Sequence, residues 1–501
     1  MSGAGMDILT IGFPALATWG NIAAIVLGCI IGLWSGALPG LSGVSATAMM
    51  LPLTYNMDPL TALVLLTSVH TSAEFGGSIS AILMNVPGDA SAAAAAFDGY
   101  PMAKQGKAGI ALGVSSMSSL VGAFCGTVVV VTAAGPILSV VISFGPSEYF
   151  ALALLGLVIV SVVSSGSAIK GLVMSLFGIA ISFVGIDSVI GVPRYTFGSV
   201  YLQAGIGFIP VVTGLFAISE LIFMIVRGGA VSESGRLDGS LWQGVREAWR
   251  HPVALAKSFL IGTVLGSMPG IGATATNFLA YSIVQKTSRR PHSFGQGNPE
   301  GVIAPEVANN ACIHAALIPA LTMGIPGGAS SALLLVVLTI HGLRPGAMLF
   351  TSGSTLVNGL FAGLFLSGIT SFLLMTQFIR IFARVTIVRA EILAPMLLVL
   401  SIIASYASQE SLADLFTTVV FGLLGYVFRR HRFPLVNLVM GLILGRLLEV
   451  SFAQSLMMTG GSYGIFAERP ATAAILAVCL TLLAVAFLRL AWRMRSAPAR
   501  G

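Results

Sequence analysis

Long apolar runs recur along the whole chain of 501 residues, and they constrain its fold more than any other feature. A helix that crosses a lipid bilayer needs about 20 apolar residues; several runs reach that length and others fall short. Only 9% of the residues are charged, too few to cover the surface of a soluble protein of this size. The sequence therefore predicts an all-α polytopic membrane protein with about 10 to 12 transmembrane helices and additional re-entrant or broken helices. The runs lie near residues 17–38, 60–86, 109–140, 147–165, 170–190, 204–226, 253–268, 311–325, 329–342, 354–379, 391–407, 412–428, 433–449 and 471–494.

Basic residues gather in short segments beside the apolar runs, and the chain has a net charge of +7. Because cytoplasmic loops of membrane proteins are enriched in Lys and Arg, we expect these segments and the C-terminus to lie in the cytoplasm. The membrane explains the charge, so no nucleic-acid partner is expected. The predicted organisation is a first transmembrane repeat (1–226), a polar cytoplasmic linker (227–252), a second repeat (253–450) and a C-terminal span with a basic tail (451–501).

The two halves contain an internal repeat of two blocks in the same order. Residues 31–41 read IGLWSGALPGL and residues 261–271 read IGTVLGSMPGI, an offset of 230 residues. The second block reads VPGDAS at 86–91 and IPGGAS at 325–330, an offset of 239 residues. Glycines lead into each first block at four-residue intervals, a stripe that favours close helix packing in membranes. The sequence does not fix the relative orientation of the two repeats, which we expect to be inverted.

Each block carries Pro-Gly within apolar sequence, which predicts a helix break. Proline removes a backbone donor, and glycine lets the backbone leave helical geometry. Lipid does not tolerate such a break, so we expect the four breaks to line a cavity or to be buried in protein. A helix that restarts there points its N-terminus, which favours anions, at the break. Paired breaks in two repeats indicate the midplane site of a transporter.

Small, hydroxyl and amide residues around the breaks provide neutral donors and acceptors. We predict a substrate- or ion-binding site at Gly40, Ser42, Gly43, Ser45, Thr47, Pro87, Gly88, Gly270, Gly272, Thr274, Thr276, Asn277, Asn309, Asn310, Pro326, Gly327 and Ser330. A Na⁺ ion near Gly40 and Gly270 is one candidate.

Three ionisable residues within apolar sequence have competing interpretations. His70 and Glu74, four residues apart, could pair, relay protons or bind a cation, or they could form a satisfied polar pair at a helix end. Glu306 could complete a cation site, but we favour a cap for a helix that starts after Pro305.

Several motifs of other protein classes do not occur in the sequence. The GxxxxGK[ST] loop of ATPases, the HExxH zinc motif and the GxSxG elbow are missing. We therefore expect no enzymatic activity and no cofactor, and we expect the energy to come from an ion gradient or from a partner. The four cysteines are far apart in apolar runs, which favours core residues over a disulfide framework or a zinc site.

Four long segments resemble the large membrane subunit, TctA, of tripartite tricarboxylate transporters, in order, from about Gly20 to Gly445. The resemblance implies a secondary transporter of the bacterial inner membrane that works with a small membrane subunit, TctB, and a periplasmic solute-binding protein, TctC. The binding protein would deliver a carboxylate such as citrate, and a Na⁺ or H⁺ gradient would drive uptake. The segments read GALPGLSGVSATAMMLPLTY, EFGGSISAILMNVPGDASAAAAAFDGYPMAKQGKAG, PGIGATATNFLAYSIVQKTSRRPHSFGQGNPEGVIAPEVANNA and ALIPALTMGIPGGASSALLLVVLTIHGLRPG.

The resemblance also implies that Asn309 and Asn310 contact substrate or ion. Ser42 is an extra residue in the first tip, PGLSG against PGIG in the second, so the two tips can differ in geometry. An acidic group at Asp89 would repel an anion, so a loop or ion-coupling role is expected there.

Two alternative functions stay open. The first is a passive channel for small anions, which needs no gradient and no binding protein. The second is a membrane scaffold or intramembrane enzyme, which gives no reason for matched breaks.

Overall fold

The computed structural model describes residues 7–38, 41–163, 168–187, 190–227, 239–268, 271–385, 395, 398–399, 402, 406 and 411–496. Among these residues, seven helical stretches are long and apolar enough to cross a membrane, and five shorter apolar helices accompany them. The prediction of an all-α polytopic membrane protein is confirmed. The predicted apolar run 391–407 lies largely outside the described residues. The seven stretches are Trp19–Ala37, Ala90–Val141, Phe208–Val226, Ser354–Phe382, Leu412–Arg430, Leu435–Met458 and Pro470–Leu488.

The described elements are almost entirely helical. Two short antiparallel strands, β1 (Gly185–Ile186) and β2 (Pro193–Arg194), form a ribbon in which Gly185 pairs with Arg194. The short 3-10 and π-helices are Ile8–Gly12, Leu51–Thr54, Ala90–Ala92, Ala103–Lys107, Thr213–Ile218 and Pro291–Ser293. The α-helices are α1 (Phe13–Leu16), α2 (Trp19–Ala37), α3 (Gly43–Met50), α4 (Pro59–Met84), α5 (Ala93–Met102), α6 (Ala108–Val141), α7 (Pro146–Val163), α8 (Ala168–Ser182), α9 (Val200–Gln203), α10 (Phe208–Val212), α11 (Ser219–Arg227), α12 (Leu241–Trp249), α13 (Pro252–Gly266), α14 (Gly272–Thr287), α15 (Pro299–Ala315), α16 (Leu317–Met323), α17 (Ala329–Ile340), α18 (Ala347–Thr351), α19 (Ser354–Val385), α20 (Leu412–Arg430), α21 (Leu435–Met458), α22 (Ile465–Glu468) and α23 (Pro470–Ser496).

The chain divides into two compact units. The first comprises Met1–Ser139, Ile209–Met268 and Gly272–Tyr426, and the second comprises Val140–Phe208, Pro269–Ile271 and Val427–Gly501. These units group residues by their packing, whereas the predicted division into repeats and linker follows the sequence. That predicted division stays a prediction. The predicted linker 227–252 includes α12, which packs against α6 of the first unit where Gly244 meets Gly113.

Both first-block breaks occur where the sequence predicts them. Helix α2 ends at Ala37 and α3 begins at Gly43, and in the second repeat α13 ends at Gly266 and α14 begins at Gly272. The two Pro-Gly pairs themselves, at 39–40 and 269–270, lie outside the described residues.

Both second-block breaks are present as well, and their surroundings match. Helix α4 starts after the N-cap Asp58 and α15 starts after the N-cap Asn298, and each has proline at its first position. At the other end, Asn85 after α4 and Gly324 after α16 both adopt the left-handed conformation, with φ of 56° and 73°. The next four residues, which include Pro-Gly, are not α-helical in either repeat. The segment α15–α16 is therefore the counterpart of α4.

The glycine stripes make equivalent contacts in the two repeats. A Cβ atom on any of four stripe glycines would come too close to a backbone oxygen of the long helix alongside, α4 in the first repeat and α15 in the second. The partner positions 69 and 73 become 308 and 312 when 239 residues are added, which is the offset of the second block. The stripes therefore serve helix packing, and the repeat extends to tertiary contacts. The pairs are Gly32 with Val69, Gly36 with Ala73, Gly262 with Ala308, and Gly266 with Cys312.

The repeats interlock within the first unit. Helix α6 of the first repeat packs on α15 of the second, where Gly122 lies against the backbone of Val307. Helix α19 of the second repeat packs on α4 of the first, where Gly363 lies against Val64 and the hydroxyls of Ser72 and Ser371 bond to each other. Each long central helix is thereby covered by both repeats.

The second unit has its own glycine-mediated packing and its own ion pairs. Gly178 of α8 lies against the backbone of Leu438 in α21. Arg194 on β2 pairs with Asp187 at 3.1 Å, and its hydrogen bond to Glu449 raises the pKa of the guanidinium. These pairs tie the β-ribbon loop to α21.

Candidate functional site

The N-terminus of α3 lies at the first break and contributes the first group of site residues. Ser42 is the N-cap, and its hydroxyl accepts the backbone N–H of Ser45 at 3.0 Å. The Ser45 hydroxyl is fully buried and donates to the carboxylate of Glu220 at 3.4 Å. Thr47, one turn further, donates to the carbonyl oxygen of Gly43 at 2.7 Å. Four predicted site residues are therefore close together, and of these Gly43, Ser45 and Thr47 are buried.

Glu74 on α4 is the centre of the polar network, and it is 5% exposed. Its Oε2 accepts the hydroxyl of Ser91 at 2.9 Å and the amide of Asn309 at 2.8 Å. Its Oε1 lies 3.8 Å from Nε2 of His70, so the two side chains face each other as their spacing predicts. A Cβ on Gly43 would lie 3.0 Å from Oε1, which places the start of α3 directly beside this carboxylate. The network joins α3, α4, the second break and α15.

Glu306 forms a second buried carboxylate site, and its predicted role as a helix cap is wrong. It lies in the middle of α15, which runs through Pro305 from the N-cap Asn298. Its carboxylate accepts the hydroxyls of Ser78 and Ser119, the latter at 2.7 Å. The side chains that satisfy it come from α4 and α6 of the first repeat.

The start of α14 contributes residues from the second repeat. Asn277 is fully buried, and its amide donates to the backbone oxygen of Ser91 at 2.9 Å. Thr276 is also buried, donating to the carbonyl of Gly272 at 2.9 Å. Thr274, by contrast, is exposed. The structure thus brings Asn277 to the Glu74 network but leaves Thr274 outside it.

A small cavity lies between residues of both repeats. It is lined by Thr47 and His70 from the first repeat and by His314 and Ser330 from the second, and its volume is about 30 Å³. One or two water molecules fit in such a space. A site for an organic ligand usually measures some 300 Å³ or more, so the cavity as it stands is too small for one.

The remaining predicted site residues lie at the breaks. Gly88 abuts the backbone of Gly36, so the second break of the first repeat packs on the helix that ends at its first break. Gly327 abuts Ala316, and Pro326 is buried beside it. Gly40 and Gly270, including the Na⁺ position suggested near them, lie outside the described residues.

Three buried amide oxygens in this region have no hydrogen-bond donor among the described residues. They belong to Asn277, Asn309 and Asn310, whose exposed fractions are 0%, 3% and 0%. An unsatisfied buried acceptor costs about 1–3 kcal/mol, so such groups are expected to serve a ligand.

Sequence reasoning missed the hydroxyl groups that surround the carboxylates. Ser91, Ser78 and Ser119 bind Glu74 or Glu306, and Glu220 binds Ser45. One signal was available, because the run SSMSS at 115–119 puts hydroxyls on several faces of an apolar helix.

The sequence profile described as "Tripartite tricarboxylate transporter TctA family" matches residues 22–440. The chain belongs to this family. It is thus a multi-pass membrane component of a tripartite transport system, a kind of system that has other subunits. The matched segment includes all four breaks and the carboxylates of Glu74 and Glu306.

Two proteins of Agrobacterium vitis are similar to this TctA-family chain. The "Uncharacterized 52.8 kDa protein in TAR-I ttuC' 3'region" is 33% identical over 481 residues, which cover 96% of each chain. The "Uncharacterized protein in TAR-II ttuC' 3'region" is 30% identical over 227 residues, which cover 45% of this chain and 94% of the relative. No solved structure matches the chain.

Proposed function

We propose that this chain is the substrate-translocating subunit of a secondary transporter that imports carboxylates, a tricarboxylate such as citrate or a related organic acid. A Na⁺ or H⁺ gradient drives uptake, and the site is formed at the paired Pro-Gly breaks. The main support is that Thr47 and Ser330, which follow breaks in different repeats, line one cavity. A site shared by two repeats can open to either side of the membrane when one moves against the other.

The chemistry of the breaks suits an anion that must be released again. Helices α3 and α14 begin at the first-block breaks, and α17 begins at a second-block break, so their free N–H groups and positive dipole ends face the breaks. Hydroxyl groups such as those of Ser42 and Thr47 add neutral polar atoms. Neutral donors bind a carboxylate less tightly than Arg or Lys would, which favours turnover over retention.

The expected partners follow from the tripartite family. A periplasmic solute-binding protein presents the carboxylate, and a small membrane subunit completes the complex. The complex resides in the bacterial inner membrane with the C-terminus of this chain in the cytoplasm, because the basic segments mark cytoplasmic loops.

Gradient-driven uptake tests this function. Proteoliposomes that contain this chain, the small subunit and the binding protein should accumulate a radiolabelled carboxylate when a Na⁺ or H⁺ gradient is imposed, and they should not when the gradient is collapsed by an ionophore. Liposomes without the binding protein are the control. If no carboxylate in a panel accumulates under any gradient, the proposed function is wrong.

The same preparation separates the alternatives. A passive anion channel would equilibrate its substrate without a gradient, would show conductance in a planar bilayer and would not need the binding protein. A membrane scaffold would show neither accumulation nor conductance.

A further inference from the structure

We propose that Glu74 binds the coupling cation, a sodium ion, together with the amide oxygens of Asn277 and Asn309. The term "coupling" rests on the proposed function, but the binding site itself rests on the contacts of these three side chains. All three are at least nine-tenths buried in the first unit.

The first argument is charge. Glu74 accepts only neutral donors, a hydroxyl and an amide, and no Lys or Arg forms an ion pair with it among the described residues. Asp89 and Glu306 lie close enough to act on it electrostatically. His70, with its Nε2 at 3.8 Å, is the one basic group beside it in the described structure. A carboxylate in apolar surroundings must be neutralised, and neighbouring acids increase its attraction for a cation.

The second argument is the set of oxygen atoms. The Asn309 amide nitrogen donates to Glu74 directly, and the Asn277 amide donates to the backbone oxygen of Ser91, whose hydroxyl donates to Glu74. Their Oδ1 atoms have no donor in the described part of the chain. A proton on Glu74 can satisfy one acceptor at most. A hard cation binds carboxylate and amide oxygens together, so it satisfies all three groups at once.

The third argument is location. The oxygens come from α4 in the first repeat and from α14 and α15 in the second, and Ser91 follows the second break. The start of α3 touches Glu74 at Gly43. A bound cation would therefore hold both repeats and the ends of two breaks in one arrangement.

This placement gives the cation a role in substrate binding. When the site is empty and Glu74 is ionised, its negative charge, with Asp89 and Glu306 nearby, faces an incoming carboxylate. The cation removes part of that repulsion and fixes the helices, so it is expected to bind before the anionic substrate or together with it.

Na⁺ binding to the purified chain in detergent provides the test. NaCl should raise the midpoint of thermal unfolding as its concentration increases against choline chloride at constant ionic strength, because a ligand of the folded state stabilises it. Binding of ²²Na⁺, measured by scintillation proximity, should saturate over the same range.

Glu74→Gln should abolish both signals, the shift of the unfolding midpoint and the binding of ²²Na⁺. Asn309→Ala keeps the carboxylate but loses one good ligand of the ion. It should therefore raise the Na⁺ concentration at half-saturation about tenfold or more. Glu247→Gln, a pair partner of Arg250 on α12, is the matched control and should leave both signals unchanged.

Saturable binding that is equal in the original chain and in both site variants would overturn the proposal, and so would no Na⁺ binding by the original chain. If Glu74→Gln does not fold, Asn309→Ala decides alone. Uptake driven by protons without any Na⁺ binding would refute this inference and leave the proposed function intact. Na⁺ binding without carboxylate uptake would support this inference and refute the proposed function.

Discussion

Gly36→Val is expected to prevent most of the protein from reaching a folded state in the membrane, and Gly266→Val is expected to do the same. The added side chain would collide with the backbone oxygen of Ala73 in the first case and of Cys312 in the second. A backbone atom inside a helix cannot rotate away as a side chain can, so the two helices must separate along their contact. Over-packing costs about 1–3 kcal/mol when neighbours can adjust, and we expect at least the upper end of that range for the free energy of unfolding.

The measurement is the yield of monodisperse protein after detergent extraction, together with its midpoint of thermal aggregation. Gly20→Val is the matched control, because Gly20 lies on the same helix as Gly36 and has no atom within 4 Å of a Cβ at that position. Yield and midpoint should stay near those of the unmodified chain in the control and fall sharply in both stripe variants. A Gly36→Val protein that is as stable as the control would contradict the packing described for α2 and α4.

Asp98→Ala is expected to cause the second large loss. The fully buried carboxylate of Asp98 accepts the backbone N–H groups of Gly295, Gly297 and Asn298 at 2.8–2.9 Å, and the hydroxyl of Tyr281 at 2.8 Å. Its removal leaves several buried donors unpaired at the loop that leads into α15. Hydrogen bonds to charged groups contribute about 1.5–3 kcal/mol each, and because they are not additive we expect a total near 3–5 kcal/mol.

Tyr281→Phe tests the contribution of the hydroxyl alone, because it removes one of the four donors to Asp98 and keeps the aromatic ring. It should lower the free energy of unfolding by about 1.5 kcal/mol, the lower end of the range for one such bond. Thermal midpoints of the two variants give the comparison, and limited proteolysis of the loop 288–298 reports local opening. Equal midpoints for Asp98→Ala and Tyr281→Phe would mean that the carboxylate does not anchor this loop.

The helix breaks could be predicted from sequence because they depend on local chemistry. Proline and glycine act on the backbone within a few residues, so Pro-Gly in apolar sequence indicates a break whatever surrounds it. The repeat could be found for the same reason, since the matched blocks are the breaks themselves. The glycine stripe indicated close packing but could not name its partner, because the partner helices α4 and α15 follow only after another helix.

The buried network could be predicted only in part. The pairing of His70 with Glu74 follows from helical spacing, whereas the bonds from Ser91 and Asn309 to Glu74 join residues 17 and 235 positions away. Glu306 shows why a local rule can fail. Pro305 suggested a helix start, since interior proline costs about 3 kcal/mol. Helix α15 nevertheless runs through it, because its burial among neighbouring helices outweighs that cost.

The proposed function requires that the two repeats share one transport site, and the cavity lined by Thr47 and Ser330 allows a direct measurement. Thr47→Leu and Ser330→Leu would each fill part of its 30 Å³. Initial rates of gradient-driven carboxylate uptake, normalised to folded protein, should fall about tenfold or more in each variant, since displacement of a bound group by 1 Å can cost more than that. Thr132→Leu, at an exposed hydroxyl on α6, is the control. Because neighbours that act on one site are not independent, the double variant should be little worse than the slower single variant. Uptake at the control rate in either single variant, or effects that multiply as for two separate sites, would contradict a shared site.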